Sequence, residues 1–395
     1  MENIRSFWQQ YWRQIIIALC LAAIAYVLLF RGLSTLVGTG QYALGEVTSS
    51  QQSHSLRTIA KDPTNLPHKL LVWAGAKLGH HSVLVTRLAS ALLALPVAVL
   101  FYWLTLHWYS KRVAVLSTVL FICSSGFLHS GRYGGALLLQ MATLVLTCSV
   151  VLYRRTKHEK LVAFLVTALV SVCLYIPGMV WFMAIEVFLL RKRIVRMMRR
   201  LGQLHASLLF GLAAVFSAPL VWAVWHNRSL ARELAGLPTI IPSLATIGEN
   251  MVHLGSSIIY RGYWSPEYWL YGAPLLNIAE AVLFVIGLLL LVKRPILRSN
   301  YFTLSALVVG SLLVVVGGSA TIALLIPLIY LVIAGGIYHL LEQWLSVFPR
   351  NPIARYAGIG LVTLLVLFSV QYHYRAYFVV WPKAPETQAV YAKAP

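Results

Sequence analysis

The sequence predicts an all-α, polytopic transmembrane helix bundle, and three observations carry that prediction. The 395-residue chain is 59% hydrophobic and only 11% charged, with a mean hydropathy of +0.77. Its apolar residues gather into runs of the length a bilayer core demands, roughly 20 residues of helix. Its Lys and Arg residues cluster on short segments between alternate runs.

The apolar runs lie at 15–30, 84–108, 113–130, 135–153, 161–176, 178–190, 207–226, 273–292, 301–317, 320–341 and 355–371. They give about eleven spans. The pair around Ile176-Pro177-Gly178 also reads as one kinked re-entrant hairpin. Four polar features organise the rest of the single membrane domain, 1–395. They are a first loop at 31–82, a second loop at 227–272, a tail at 372–395 and the short basic connections.

The charges orient the bundle. With the N-terminus inside, inside segments carry Arg5, Arg13, Lys111, Arg112, Arg154, Arg155, Lys157 and Lys160. They also carry the six basic residues of 191–200, then Lys293, Arg294, Arg298, Arg350 and Arg355, which together are 19 of the 32 Lys and Arg. Dense positive charge on the short loops of one side predicts an N-terminus inside, a C-terminus outside and the two large loops outside. The formal net charge of +21 then reflects topology and attraction to anionic lipid. Nucleic-acid binding is excluded, because it needs a basic soluble domain and the sequence offers none.

Cys20, Cys123, Cys148 and Cys173 all fall inside runs and read as small apolar packing residues, without metal or disulfide spacing. The first run, flanked by Arg13 and Arg31, lacks a small-residue cleavage site and is expected to remain as an anchor. Glu186 and Glu280 lie within apolar spans, where an acid is costly, so each is expected to face the interior with a partner.

The first loop holds the most chemistry. Glu46 to Lys61 has the polarity of a surface helix ended by Asp62-Pro63, and His68 to Leu78 reads as a second, both amphipathic and lying on the membrane. His54, His68, His80 and His81 share this loop, but their spacing matches no standard ligand set. No metal site is assigned there, and the sequence demands no cofactor; a divalent cation stays open.

From the first span to Arg132 the chain resembles the GT-C membrane glycosyltransferases of the protein O-mannosyltransferase and aminoarabinose transferase type. The matching elements are Gly45-Glu46-Val47, Pro67-His68-Lys69-Leu70-Leu71, Gly79 with Arg87 to Leu92, and His129-Ser130-Gly131-Arg132-Tyr133. Later matches are Ser265-Pro266 to Leu275, Gly287 with Lys293-Arg294, and Leu325-Ile326-Pro327-Leu328 to Gly336. The resemblance implies a multi-pass cell-membrane enzyme with its active site on the outer face. It would take a sugar from a polyprenyl-phosphate donor to a hydroxyl on a glycan, lipid or protein acceptor.

Such a transfer needs a carboxylate to take the acceptor's proton and cations beside the departing phosphate. By resemblance Glu46 is the catalytic acid–base residue, and Lys69, Arg132 and His68 bind the phosphate of the donor. Tyr260, Arg261, Tyr263, Trp264 and Glu267, near Glu249 and His253, form a wall for sugar or acceptor, since aromatic faces suit sugar rings. Each residue also has a plainer role. Glu46 suits a helix N-terminus, Asp62 a turn, Lys69 and Arg132 the headgroup level, and the aromatics a membrane-interface belt.

The chain departs from the pattern at four places. Gly45 stands where a second acid is usual, Tyr133-Gly134-Gly135 follow Arg132 without an Asp, Leu70-Leu71 replace a Pro pair, and Gly318-Ser319-Ala320 lack an Arg. Two alternatives to an active transferase therefore stand beside it. One is a non-catalytic transporter or flippase for lipid-linked saccharides, and the other is an inactive scaffold of the same fold.

Overall fold

The computed structural model describes residues 2–37, 41–79, 83–155, 159–262, 270, 272–293 and 298–391. They form an all-α, polytopic bundle. Five of its helices are long and apolar enough to cross a membrane, or six if one bent pair counts as a single span.

The first long helix, α1 (Glu2–Phe30), leads into the first loop, which carries three short helices. They are α2 (Leu44–Gln52), α3 (Leu56–Lys61) and α4 (Leu66–Lys77). The single helix expected over 46–61 is thus two. Ser53 Oγ donates back to the Ser49 carbonyl, and Ser55 caps α3 by accepting from the Thr58 N–H. Serines that bond locally end one helix and begin the next.

The bundle continues with α5 (Leu84–Trp108), α6 (Lys111–Cys123) and α7 (Ser125–Arg132). The run expected at 113–130 is bent by 55° between α6 and α7. Ser124 sits at the break in extended conformation and caps α7 by accepting from the Phe127 N–H. A 3₁₀ turn, Ala136–Ala142, precedes α8 (Thr143–Arg155), and α9 (Glu159–Cys173) follows.

Helix α10 (Met179–His226) is 48 residues long. A straight helix of that length would extend about 70 Å. Yet the Gly178 N–H donates to the Leu234 carbonyl at 2.8 Å, so the two ends are neighbours. The chain reverses at Gly202, whose φ of 79° and ψ of 164° suit a residue without a Cβ. The runs at 178–190 and 207–226 are its two arms.

Beyond it lie α11 (Ser229–Leu234), α12 (Leu244–Ile259), α13 (Ile278–Lys293) and α14 (Arg298–Val316). The chain ends in α15 (Ile326–Val347), α16 (Pro352–Arg375) and α17 (Pro385–Val390). Helices α13 and α15 cross closely. A Cβ on Gly287 would run into the Val332 carbonyl, and one on Gly336 into the Leu283 carbonyl. Small residues let two helix backbones approach where no hydrophobic effect drives them together.

Both acids expected in the interior have partners. Glu186 accepts from Ser149 Oγ. Glu280 meets His373 Nε2 at 2.8 Å, and His373 Nδ1 lies 3.1 Å from Ser125 Oγ, all three residues being buried. Cys123, Cys148 and Cys173 are buried and free, while Cys20 is exposed.

The tail does not extend away from the bundle. Helix α16 runs on to Arg375, a π-turn (Ala376–Val380) and a 3₁₀ turn (Trp381–Lys383) follow, and Tyr377, Trp381 and Tyr391 pack into the core.

Candidate functional site

Glu46 stands in the third position of α2, where its carboxylate reaches back to accept from the Ala43 N–H at 3.0 Å. Arg87, in the first turn of α5, grips both oxygens, with Nε and Nη2 each at 2.7 Å. The Gly134 N–H adds a fourth donor at 2.8 Å. Arg87 in turn donates to the carbonyls of Leu33 and Gln41, at 3.1 and 3.0 Å, and its guanidinium lies over the Tyr42 ring. Both side chains of the pair are fully buried.

This unit ties the first loop to α5 and to the turn after α7. Gly134 is a glycine for a physical reason: a Cβ there would meet Thr86 Oγ1 and stand 3.0 Å from Glu46 Oε1. Gly134→Ala is expected to lower stability by about 1–3 kcal/mol through overpacking. Unfolding of the purified protein in detergent would measure it, and an unchanged midpoint would contradict this packing.

Arg132 ends α7 and reaches carbonyls at the C-terminal end of α1. Its Nη1 donates to Leu28 and Leu29 at 2.6 and 3.0 Å, and its Nη2 to Gly32 at 3.3 Å. A cation on a helix C-terminus satisfies carbonyls that have no partner in the helix. The guanidinium also lies near the rings of Tyr377 and Phe378.

Lys69, in α4, is nearly enclosed. Its Nζ donates to Asp62 Oδ2 at 2.7 Å, to the Asp62 carbonyl at 2.8 Å and to Thr64 Oγ1 at 3.4 Å. The Asp62 side chain is 33% exposed, against 5% for Lys69. Burial works to raise the Asp62 pKa, but bonds from Lys69 and Thr64 together hold it below 3.8. Glu233 lies near the end of α11. Its pKa is raised by partial burial and by the charge of Asp62, with Lys69 opposing. The Asn65 N–H donates to the Tyr175 carbonyl at 2.7 Å, joining the first loop to the turn after α9, and Ser319 Oγ donates to the Glu233 carbonyl at 2.7 Å.

His68 is buried and neutral. Its Nε2 lies 3.2 Å from the Thr86 carbonyl, which can only accept, so the proton is on Nε2. Ser90 Oγ lies 3.1 Å from the same nitrogen and donates onward to the Gly135 carbonyl. Burial lowers its pKa from 6.5 to about 4, opposed by the Thr86 bond and aided by the nearby Lys69 charge. The unfolded chain therefore takes up a proton that the folded chain refuses in this range. The stability preserved by neutral His68 is full above pH 6.5 and is lost as pH falls toward 4. The difference amounts to about 3 kcal/mol. We expect the unfolding midpoint to drop across that window in the native chain and to drop less in His68→Gln. Parallel curves would contradict this.

Of the residues singled out from sequence, the structure sets Glu46 beside Arg87, Lys69 on Asp62, Arg132 on the end of α1, and His68 against α5. The phosphate role expected for His68 does not rest on positive charge. Tyr260 is 81% exposed at the end of α12, and the Arg261 N–H donates to the Ser256 carbonyl. Tyr263, Trp264 and Glu267 lie outside the described residues, as do His80 and His81. Among the described residues no group of three His, Cys, Asp or Glu is placed to hold a metal. Sequence reasoning had no role for Arg87, Glu233 or Tyr377. The one available signal was Arg87, a charge in the first turn of an apolar run, which needs an acid nearby.

No protein-family model and no curated protein sequence matches the chain. Solved structures do. The chain superposes on ArnT from Cupriavidus metallidurans in the apo state with a TM-score of 0.56, covering 95% of this chain and 77% of that one. On ArnT from the same organism bound to undecaprenyl phosphate the TM-score is 0.57, covering 96% and 78%. The chain shares the fold of ArnT. Sequence identity is 13% in both comparisons, so the likeness is one of fold, and at that level it matches the GT-C type expected from the sequence.

Proposed function

We propose that this protein is a membrane glycosyltransferase that moves a sugar from a polyprenyl-phosphate donor to a hydroxyl acceptor on the outer face. Its about eleven spans would place the N-terminus inside, with the first and second loops forming the outer roof. Support comes from the shared fold with ArnT and from one arrangement above all. Lys69 is paired with the partly exposed Asp62, and the charges of both act on the exposed Glu233 of α11.

The roles follow from exposure. Glu46 has four N–H donors and no surface, so in this conformation it frames the loop rather than meeting an acceptor. Glu233 is exposed and its pKa is raised above the ordinary glutamate value, the direction that makes a carboxylate a stronger base. It takes the acceptor's proton as the oxygen attacks the anomeric carbon. The bond from that carbon to the phosphate oxygen breaks, and Lys69 stabilises the departing lipid phosphate by exchanging Asp62 for it. The purified protein should release polyprenyl phosphate from one member of a panel of polyprenyl-phosphate sugars, and Lys69→Ala should raise the donor concentration required.

A second reading has an observation in its favour. Glu46 is spent on Arg87 and Gly45 supplies no further acid, which suits a scaffold that binds lipid-linked sugar without transferring it. Binding with no release across the whole panel would favour this reading.

A further inference from the structure

Helix α10 carries a block of positive charge. Residues 191–200 hold six Lys and Arg, and no acid occurs between Glu186 and Glu233. The segment is held in place, because Met197 and Leu201 are buried together with Ala163 of α9 and Leu209 of the second arm. Arg191, Lys192, Arg196, Arg199 and Arg200 stay exposed around that anchor. Like charges fixed on one short helical stretch repel one another, so an anion that neutralises them is bound favourably.

An apolar groove of about 550 Å³ runs along the first arm up to this block. Val180, Met183, Ala184, Val187 and Phe188 line it, and Arg191 brings a charge to its end. Spacings of three and four residues put these side chains on one face of the helix. Charge and groove share a wall, since the Arg191 guanidinium lies 4.6 Å from the centre of the Phe188 ring. Among the described residues that guanidinium has no hydrogen-bond or ion-pair partner.

The length of the groove suits a lipid tail. From Val180 to Arg191 the helix rises about 16 Å, close to half the thickness of a bilayer core of ~30 Å. A chain lying in the groove therefore brings its headgroup to the guanidinium. A soluble acidic partner would meet the charges and leave the groove empty.

We propose that the first arm of α10 binds an anionic glycerophospholipid, with one acyl chain along the groove and the headgroup phosphate on Arg191. The phosphate accepts from the guanidinium in a charge-assisted bond. Lys192 and Arg199 stand to one side of Arg191 on the helix and add attraction through the surface potential. The site belongs to a different segment from Glu46, Lys69 and Glu233, and it stands whether or not the protein transfers sugar.

The test is native mass spectrometry of the purified full chain in detergent, titrated with phosphatidylglycerol. Phosphatidylethanolamine with the same chains and inorganic phosphate are the controls. We expect phosphatidylglycerol to bind at concentrations where neither control does. Arg191→Gln should lower its affinity by about tenfold or more, the usual worth of a hydrogen bond between charged groups. Arg196→Gln removes the same charge from a different face of the helix. It should lower the affinity by no more than about fivefold, as one charge near an anionic surface does. Ala184→Trp fills the groove and should weaken binding too. Ala184 is exposed, so that variant should keep its unfolding midpoint.

Equal losses in Arg191→Gln and Arg196→Gln would overturn the proposal, because diffuse attraction needs no groove. Equal binding of phosphatidylethanolamine would also overturn it, since the site would not read charge. Competition by inorganic phosphate, or undiminished binding to Ala184→Trp, would show that the acyl chain is not held and would overturn it as well.

Discussion

Glu46→Gln is expected to cost about 3–5 kcal/mol of folding stability, because it leaves the buried Arg87 guanidinium without its counter-charge. An amide can accept on one side only, and its NH₂ would point at a donor. The loss should therefore appear as a lower unfolding midpoint and poorer expression, before any assay of activity. Arg87→Met should cost a similar amount. The double substitution should cost less than the sum of the two, since removing both charges avoids leaving either one buried alone. Unfolding of the four proteins in one detergent measures this coupling. A Glu46→Gln protein of native stability that has lost only transfer would return the base role to Glu46.

Glu233→Gln should do the opposite. Glu233 is exposed, so stability should change by no more than about 0.5 kcal/mol. Transfer should fall by about 10²–10⁴-fold if this carboxylate takes the acceptor's proton. The pH profile gives an independent check. Transfer in the native chain should decline as pH falls through the raised pKa of Glu233, because protonation removes the base. Asp62 helps to raise that pKa, so Asp62→Asn should move the acid limb to lower pH. A limb that stays in place, or a Glu233→Gln variant of full activity, would remove Glu233 from the chemistry.

The fold was legible because a bilayer leaves few choices. Long apolar runs must be helices, and acids inside them must find partners, as Glu186 and Glu280 do. The site was less legible, because hydropathy records how polar a residue is and says nothing of what it touches. Glu46 and Arg87 are 41 residues apart and lie on different helices. No pattern within either segment announces their pairing, so Glu46 read as the catalytic carboxylate of the loop, with no partner assigned. Likewise the polarity of 46–61 gave one helix, where local serine bonds make two. The aromatics of the tail suit an interface as well as a core, and their packing against Arg132 and His129 was not legible in the sequence. Glycines were the better guide. Gly287 and Gly336 stood out in sequence and do mark a close helix crossing.

The central claim is sugar transfer from a lipid phosphate. Its most direct test incubates the purified full-length protein with a panel of undecaprenyl-phosphate sugars and detergent-soluble hydroxyl acceptors. Mass spectrometry then follows free undecaprenyl phosphate and the glycosylated acceptor. We expect one donor to yield both products in equal amounts, with the yield abolished by Glu233→Gln in a protein that remains folded. Donor that is bound but left intact across the whole panel would contradict transfer and leave a lipid-binding scaffold.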